Sequence, residues 1–225
     1  MLTINLLKGC VVILDVMTAS TKTDEQQNVK GLLTALDDYL ASGIHIGMKF
    51  KTKFMRDYIY KVREDGLAIL DIQKIDERIK IAAKFLSQFE PNDIIVVGRR
   101  DNAKKPISMF SRVTGCRAVQ GRYYPGTLTN PIIPSYTEAK ALLIADPWID
   151  KNAIKDAVIS RVPIVGLADT NNSTQNVDLI IPCNNKGKRS LGVAFYLLAR
   201  EYLKTRGDIK TDDEFKYTID DFSEE

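Results

Sequence analysis

The sequence predicts an α/β protein built on a mostly parallel sheet with helices on both faces. Short apolar runs without polar alternation recur along the chain, the mark of strands covered on both sides. Helical stretches of roughly 10–14 residues separate them, as crossover connections between parallel strands require. At 225 residues and 44% apolar content, the chain is long enough to bury one sizeable core.

Taken in order, residues 1–27 lack periodicity and read as a flexible N-terminal arm, with the polar cluster Thr18 to Asn28 at its end. Residues 28–206 read as a single α/β domain, and 207–225 as an acidic C-terminal tail. Leu32, Leu33, Leu36 and Leu40 give Val29 to Ala41 a helical spacing, which Gly43 stops. Ile44-His-Ile-Gly47 is a short apolar piece between glycines. Lys49 to Arg63 carries six positive charges interleaved with Phe50, Phe54, Tyr58 and Tyr60. Leu67 to Ile72 is a continuous apolar strand. Asp76 to Phe89 is a helix with Ile79, Ala83 and Leu86 on one face. Pro91-Asn-Asp93 turns the chain into a strand over Ile94 to Val97. Asn102 to Val113 is helical with Ile107 and Phe110 inward, and Pro106 sets a late start. Strands follow at Cys116 to Val119 and Ala141 to Ala145. A helix over Asp150 to Ile159 leads to strands at Ile164 to Ala168 and Leu179 to Ile181. The strongly apolar run Leu191 to Leu203 closes the series as a helix.

The net charge of +3 hides an uneven distribution. Residues 41–131 hold seventeen Lys and Arg against nine Asp and Glu, whereas 207–225 hold two against eight. Such a basic body attracts nucleic acid without sequence preference; equally, charge alone fits an ordinary solvated face. The acidic tail keeps Phe215, Tyr217 and Phe222, so it has apolar surface with which to dock on a protein or on its own domain. Cys10, Cys116 and Cys183 show neither disulfide-framework nor metal spacing, and His45 is the sole histidine. They read as reduced cysteines of a cytoplasmic protein, with no metal and no cofactor expected. No apolar stretch reaches transmembrane length, so no membrane partner is expected either.

The most distinctive loop is Gly121-Arg-Tyr-Tyr-Pro-Gly-Thr-Leu-Thr-Asn-Pro131. Its Gly121-x4-Gly126 spacing imitates the start of a phosphate-binding P-loop, but Thr127 and Leu128 stand where Lys and Ser or Thr are needed. It offers instead a guanidinium, two rings and several hydroxyls, groups that hold a polyanion or stack on bases but activate no substrate. Asp146 and Asp169 follow the ends of two strands, where open α/β sheets bind ligands and two carboxylates can hold magnesium. The plainer alternative is a turn at Asp146-Pro147 and an Asx-type loop at Asp169, and no nucleophile or base accompanies the pair. His45, between isoleucines and glycines, reads as structural. Asn184-Asn-Lys-Gly-Lys-Arg-Ser190 opens the last helix with three cations near free backbone amides, an anion site.

Gly43-Ile-His-Ile-Gly47, the Gly121–Asn130 loop, Ala168-Asp-Thr-Asn-Asn and Ile181-Pro-Cys-Asn-Asn-Lys-Gly, taken together, resemble the S2 family of small-subunit ribosomal proteins. Asp65-Gly-Leu-Ala-Ile-Leu-Asp71, Lys74-Ile-Asp-Glu-Arg78 and Ala145-Asp-Pro-Trp148 also fit, and the likeness runs from about Asp38 to Gly207. Bacterial members carry a long helical hairpin after the Leu-Thr-Asn loop. Here only Pro131 to Lys140 fills that gap, so the chain is similar to the archaeal and eukaryotic branch. The resemblance implies a flavodoxin-like sheet, binding to small-subunit ribosomal RNA and neighbouring ribosomal proteins, a place where head meets body near the messenger exit, and no catalysis. The other reading open to an α/β sheet with strand-end aspartates is a phosphosugar- or nucleotide-binding enzyme.

On the first reading, the residues expected to meet RNA are Lys49, Lys51, Lys53, Arg56 and Arg63, then Arg99, Arg100, Lys104 and Lys105. Arg122, Tyr123, Thr127, Thr129 and Asn130 join them from the loop, with Tyr124 an alternative to Tyr123 for stacking. Lys186, Lys188 and Arg189 complete the set. His45, Gly121 and Gly126 are expected to serve the backbone.

Overall fold

Buried aliphatic runs organise the chain around five parallel strands. In the computed structural model, which describes residues 32–210 and 214–223, the described residues from Asp37 onward form one compact unit; the arm read over residues 1–27 lies outside the described residues. Strands β3 (Ile94–Gly98), β4 (Arg117–Gln120), β5 (Ala141–Ile144), β6 (Ile164–Ala168) and β7 (Leu179–Pro182) pair in the order β4-β3-β5-β6-β7. Every pairing is parallel. This is the flavodoxin-like order, with the chain direction reversing between β3 and β5. β3, β5 and β6 are buried along their whole length, which is why their sequences are apolar without alternation.

The α-helices among the described residues are numbered in chain order: α1 (Leu36–Ser42), α2 (Ile72–Leu86), α3 (Asp101–Thr114), α4 (Lys151–Ser160), α5 (Lys188–Arg206) and α6 (Ile219–Phe222). α5 packs against both α2 and α3, where Phe110 and Phe195 meet edge to face at 5.7 Å. A separate cluster joins Ile95, Val97, Leu142 and Ile144 of the sheet to Ala153, Ile154 and Ala157 of α4. Tyr123 and Leu128 from the loop after β4 complete that layer. No described helix is long and apolar enough to cross a membrane.

The structure departs from the sequence expectations at several points. The strand at Leu67 to Ile72 is not part of the parallel sheet. Shortened to β2 (Ala68–Leu70), it pairs antiparallel with β1 (Ile59–Val62) in a two-stranded sheet. Arg63 N–H donates to Leu67 O and Gly66 N–H to Arg63 O, closing a tight turn; so short a link allows a hairpin but no parallel crossover. β1 escapes the apolar pattern because three of its four residues are exposed. α2 begins four residues earlier than expected, because the Asp71 carboxylate caps it by accepting from Gln73 N–H at 3.0 Å. α3 likewise begins at Asp101 and carries Pro106 in its interior. α1 is shorter than the expected helix, which began among residues outside the description.

The terminal segment folds against the domain. Tyr196 of α5 meets Phe215 at 5.3 Å and Phe222 at 5.9 Å, and Phe222 is fully buried. A capping box between Thr218 and Asp221 starts α6. Cys116 and Cys183 are free and buried, and burial raises the pKa of both thiols, so neither is poised as a thiolate.

Candidate nucleic-acid interface

Parallel strands all end at one edge of the sheet, so the loops after β3, β4, β5, β6 and β7 gather there. These loops carry Arg99, Arg122, Asp146, Asp169 and Lys186 respectively. The basic segment before β1 is drawn to the same edge: Thr52 N–H donates to Thr170 O at 2.9 Å and Thr52 Oγ1 to Asn172 O at 2.8 Å. The half-buried His45 supports this attachment through its backbone, its carbonyl accepting from Leu70 N–H at 2.8 Å. Burial lowers its imidazole pKa, opposed by the Tyr39 backbone.

Beyond Thr52, the chain forms an open groove of about 440 Å³ lined by Lys51, Lys53, Arg56, Tyr60 and Lys61. Lys49, Lys51, Lys53 and Arg56 are exposed and have no carboxylate partner among the described residues. Phe50 and Tyr60 are each 68% exposed and Phe54 54%, an unusual display of rings among cations. Arg63 lies at the hairpin turn, 3.8 Å from Asp65. Lys61 and Tyr60 lie within the expected Lys49–Arg63 stretch but were not singled out as contacts; the alternation of charges and rings along that stretch is the signal that marks them.

Other expected contacts turn out to be committed inside the protein. Arg100 grips Asp146, Nε at 2.7 Å and a terminal nitrogen at 2.5 Å. Lys186 Nζ lies 3.0 Å from both Asp169 and Asn171. Lys105 donates to Ser223 O at 2.5 Å, holding the terminal segment. Lys104 pairs with Asp101 on the exposed side of α3. Lys188 and Arg189 are exposed at the start of α5. Asp146, 1% exposed, also accepts from Trp148 N–H and Asn172 Nδ2, both at 2.9 Å. Asp169, equally buried, accepts from Thr170 N–H at 2.6 Å. The two strand-end carboxylates are thus anchors for loops. Among the described residues, no group of three or more His, Cys, Asp and Glu side chains could hold a metal ion.

The Gly121–Pro131 loop divides into two faces. Tyr123 is buried with its hydroxyl donating to Asp156 at 3.0 Å, and Thr127 is buried with its hydroxyl on Tyr124 O. Packing against α4 thus corrects the expectation for both: the Tyr123 ring is not free to stack on a base, and both hydroxyls are committed to partners within the protein. Burial, then the Asp156 charge, push the Tyr123 phenol above its ordinary range. Gly126 N–H adds a 2.6 Å bond to the same Asp156 oxygen, and Ser160 Oγ holds Leu128 O. Gly121 and Gly126 both adopt positive φ. At Gly126, with φ of +96°, a Cβ would also lie 2.7 Å from Ile133. The outer face presents Arg122, Tyr124 and Asn130, with Thr129 half-buried between the faces. Asp156→Ala is expected to cost about 2 kcal/mol, leaving a buried phenol and a backbone amide without their acceptor. Thermal unfolding measures that cost, and limited proteolysis should newly cut within 121–131.

The comparisons with known proteins agree with this architecture. The family profile described as Ribosomal protein S2 matches residues 39–133 and 132–204. This chain belongs to the ribosomal protein S2 family. It is 53% identical over 191 residues to the small ribosomal subunit protein uS2 of Picrophilus torridus, covering 85% of this chain and 96% of the relative. The uS2 of Thermoplasma acidophilum is 51% identical over the same shares. The uS2 of Methanococcus maripaludis strain C6 is 51% identical over 195 residues, 87% of each chain. These S2 proteins are archaeal, as the short Pro131–Lys140 connection led us to expect.

Proposed function

We propose that this protein is a structural constituent of the small ribosomal subunit. Its basic edge binds small-subunit ribosomal RNA, its remaining surface meets neighbouring ribosomal proteins, and it performs no catalysis. The observation that carries the reading is the concentration of exposed rings and of cations without a carboxylate partner among the described residues, around Lys49 to Lys61 at the edge where five loops converge. Cations there neutralise phosphates and release counterions, while Phe50, Phe54 and Tyr60 offer stacking faces to unpaired bases. Exposed Arg99, Arg122 and Arg189 extend the surface. Family membership supports placing the protein in cytoplasmic ribosomes, at the junction of head and body near the messenger exit.

Reconstitution tests this reading. Small subunits of an archaeal relative, stripped of their own uS2, should take up the added chain and carry it in the subunit peak of a sucrose gradient. A chain that folds yet stays at the top of the gradient would contradict the assignment.

A further inference from the structure

The β3/β5 reversal, where the loops after neighbouring strands diverge, leaves a concavity of about 200 Å³ at the basic edge. Arg99, Arg122, Asp150 and Asn152 line it, with Tyr123 and Ile149 as its apolar wall. That is smaller than the roughly 300–1,000 Å³ of small-molecule sites. Neither guanidinium has a hydrogen-bond or ion-pair partner among the described residues. Asp150 is the anomaly. The residue is 3% exposed, and its carboxylate receives a single long bond, from Arg99 N–H at 3.4 Å. The buried carboxylates beside it behave otherwise: Asp146 collects four donor contacts from Trp148, Asn172 and Arg100. A carboxylate with so few protein donors that lines a pocket is open to a donor from water or a ligand there. Burial raises its pKa to about 6, against the opposing Arg99 amide and the Arg99 and Arg100 charges, so at pH 7.5 it remains mostly ionised with a single hydrogen-bond donor.

A ligand completing this pocket must present an anion to the two guanidiniums and a hydroxyl donor to the carboxylate. A bare phosphate supplies only the first and meets repulsion from Asp150. RNA supplies both, since its 2′-hydroxyl adjoins the 3′-phosphate; DNA lacks the donor. We propose that Arg99, Arg122 and Asp150 form a one-nucleotide pocket for the ribose-phosphate of RNA, with both guanidiniums on the phosphate and Asp150 on the 2′-hydroxyl. The pocket has room for the sugar and phosphate and leaves the base outside, so it distinguishes RNA from DNA without reading sequence. It rests on the RNA-binding role proposed above.

The test is fluorescence anisotropy of the full chain at pH 7.5, with single strands of about 12 nucleotides. One mixed sequence is made as RNA, as DNA and as 2′-O-methyl RNA. The parent should bind RNA about tenfold tighter than DNA, as expected for one hydrogen bond to a charged group. The 2′-O-methyl strand, which lacks the donor, should bind like DNA. Asp150→Ala, with folding verified by its thermal transition, should bring the RNA-to-DNA ratio close to one without weakening DNA binding. Arg122→Ala, on the exposed face of the loop, should lower RNA affinity severalfold and narrow the ratio even if Asp150→Ala does not fold. A parent that binds RNA but shows no preference, or a preference surviving in both variants, overturns the pocket and leaves RNA binding standing. A parent that binds no nucleic acid overturns the RNA-binding role itself. Ribose 5-phosphate should displace RNA only weakly; tight binding of it alone would make this a small-molecule site.

Discussion

Asp146→Ala should be among the most destabilising single substitutions in the described fold, costing about 3 kcal/mol. The carboxylate is 1% exposed and serves both sides of the β3/β5 edge. One oxygen accepts from Trp148 N–H and Asn172 Nδ2, the other from two nitrogens of Arg100. Removing one partner of a buried pair costs roughly 3–5 kcal/mol, because the other charge is left without compensation. The lower end applies because the Arg100 side chain is 25% exposed and can recover some water. For a chain of this size, that is a fall of about 6–12 °C in the thermal midpoint. Asp146→Asn should recover only part of the loss. Its amide oxygen can serve one set of donors while its NH2 opposes the other. A midpoint within a degree of the parent for Asp146→Ala would show that the pair is dispensable.

The second large effect lies in the terminal segment. Phe222→Ala should cost about 3 kcal/mol or detach residues 214–223 from α5. The ring is fully buried and packs edge to face on Tyr196, and truncating a buried Phe costs roughly 3–5 kcal/mol. Detachment caps the loss at the docking energy of the segment, which favours the lower figure. Gly192 supplies an independent approach from the other side. A Cβ there would lie 3.2 Å from the backbone of Phe222 and Ser223, so Gly192→Val should expel the same segment. The double variant should then lose little more than either single one. Full additivity would show that Gly192 and Phe222 do not share this contact.

These two sites show what the sequence disclosed. Strands β3, β5 and β6 were legible because burial on both faces leaves no polar residue in runs such as Ile94 to Val97, whereas β4, with Arg117 and Gln120 exposed at its ends, showed only its apolar middle. Their order was not legible from those runs, since apolar strands of similar length can be permuted without changing the pattern. Arg100 and Asp146 read separately as a phosphate contact and a possible metal ligand; their pairing spans 46 residues and exists only once β3 lies beside β5. Tyr123 and Tyr124 are adjacent and alike, and only the position of Asp156 on α4 decides which one is buried. The Lys49–Arg63 stretch announced its chemistry through charge and aromatic content while concealing its structure, because an exposed strand such as β1 has no apolar face to betray it. Phe215 and Phe222 marked the acidic terminal segment as able to dock, but the receiving surface around Tyr196 and Gly192 could not be read from the segment itself.

The salt dependence of RNA binding bears most directly on the role of the basic edge. Affinity for transcribed small-subunit ribosomal RNA would be measured across a range of salt concentrations for the parent and for the combined variant Lys51→Gln, Lys53→Gln, Arg56→Gln. These side chains are exposed and lack carboxylate partners among the described residues, so the variant should keep its fold. If each contacts one phosphate, the slope of log affinity against log salt should become shallower by about two to three units, at roughly 0.7–0.9 per phosphate. A variant that folds, binds and retains the parent's slope would contradict the placement of RNA on this groove.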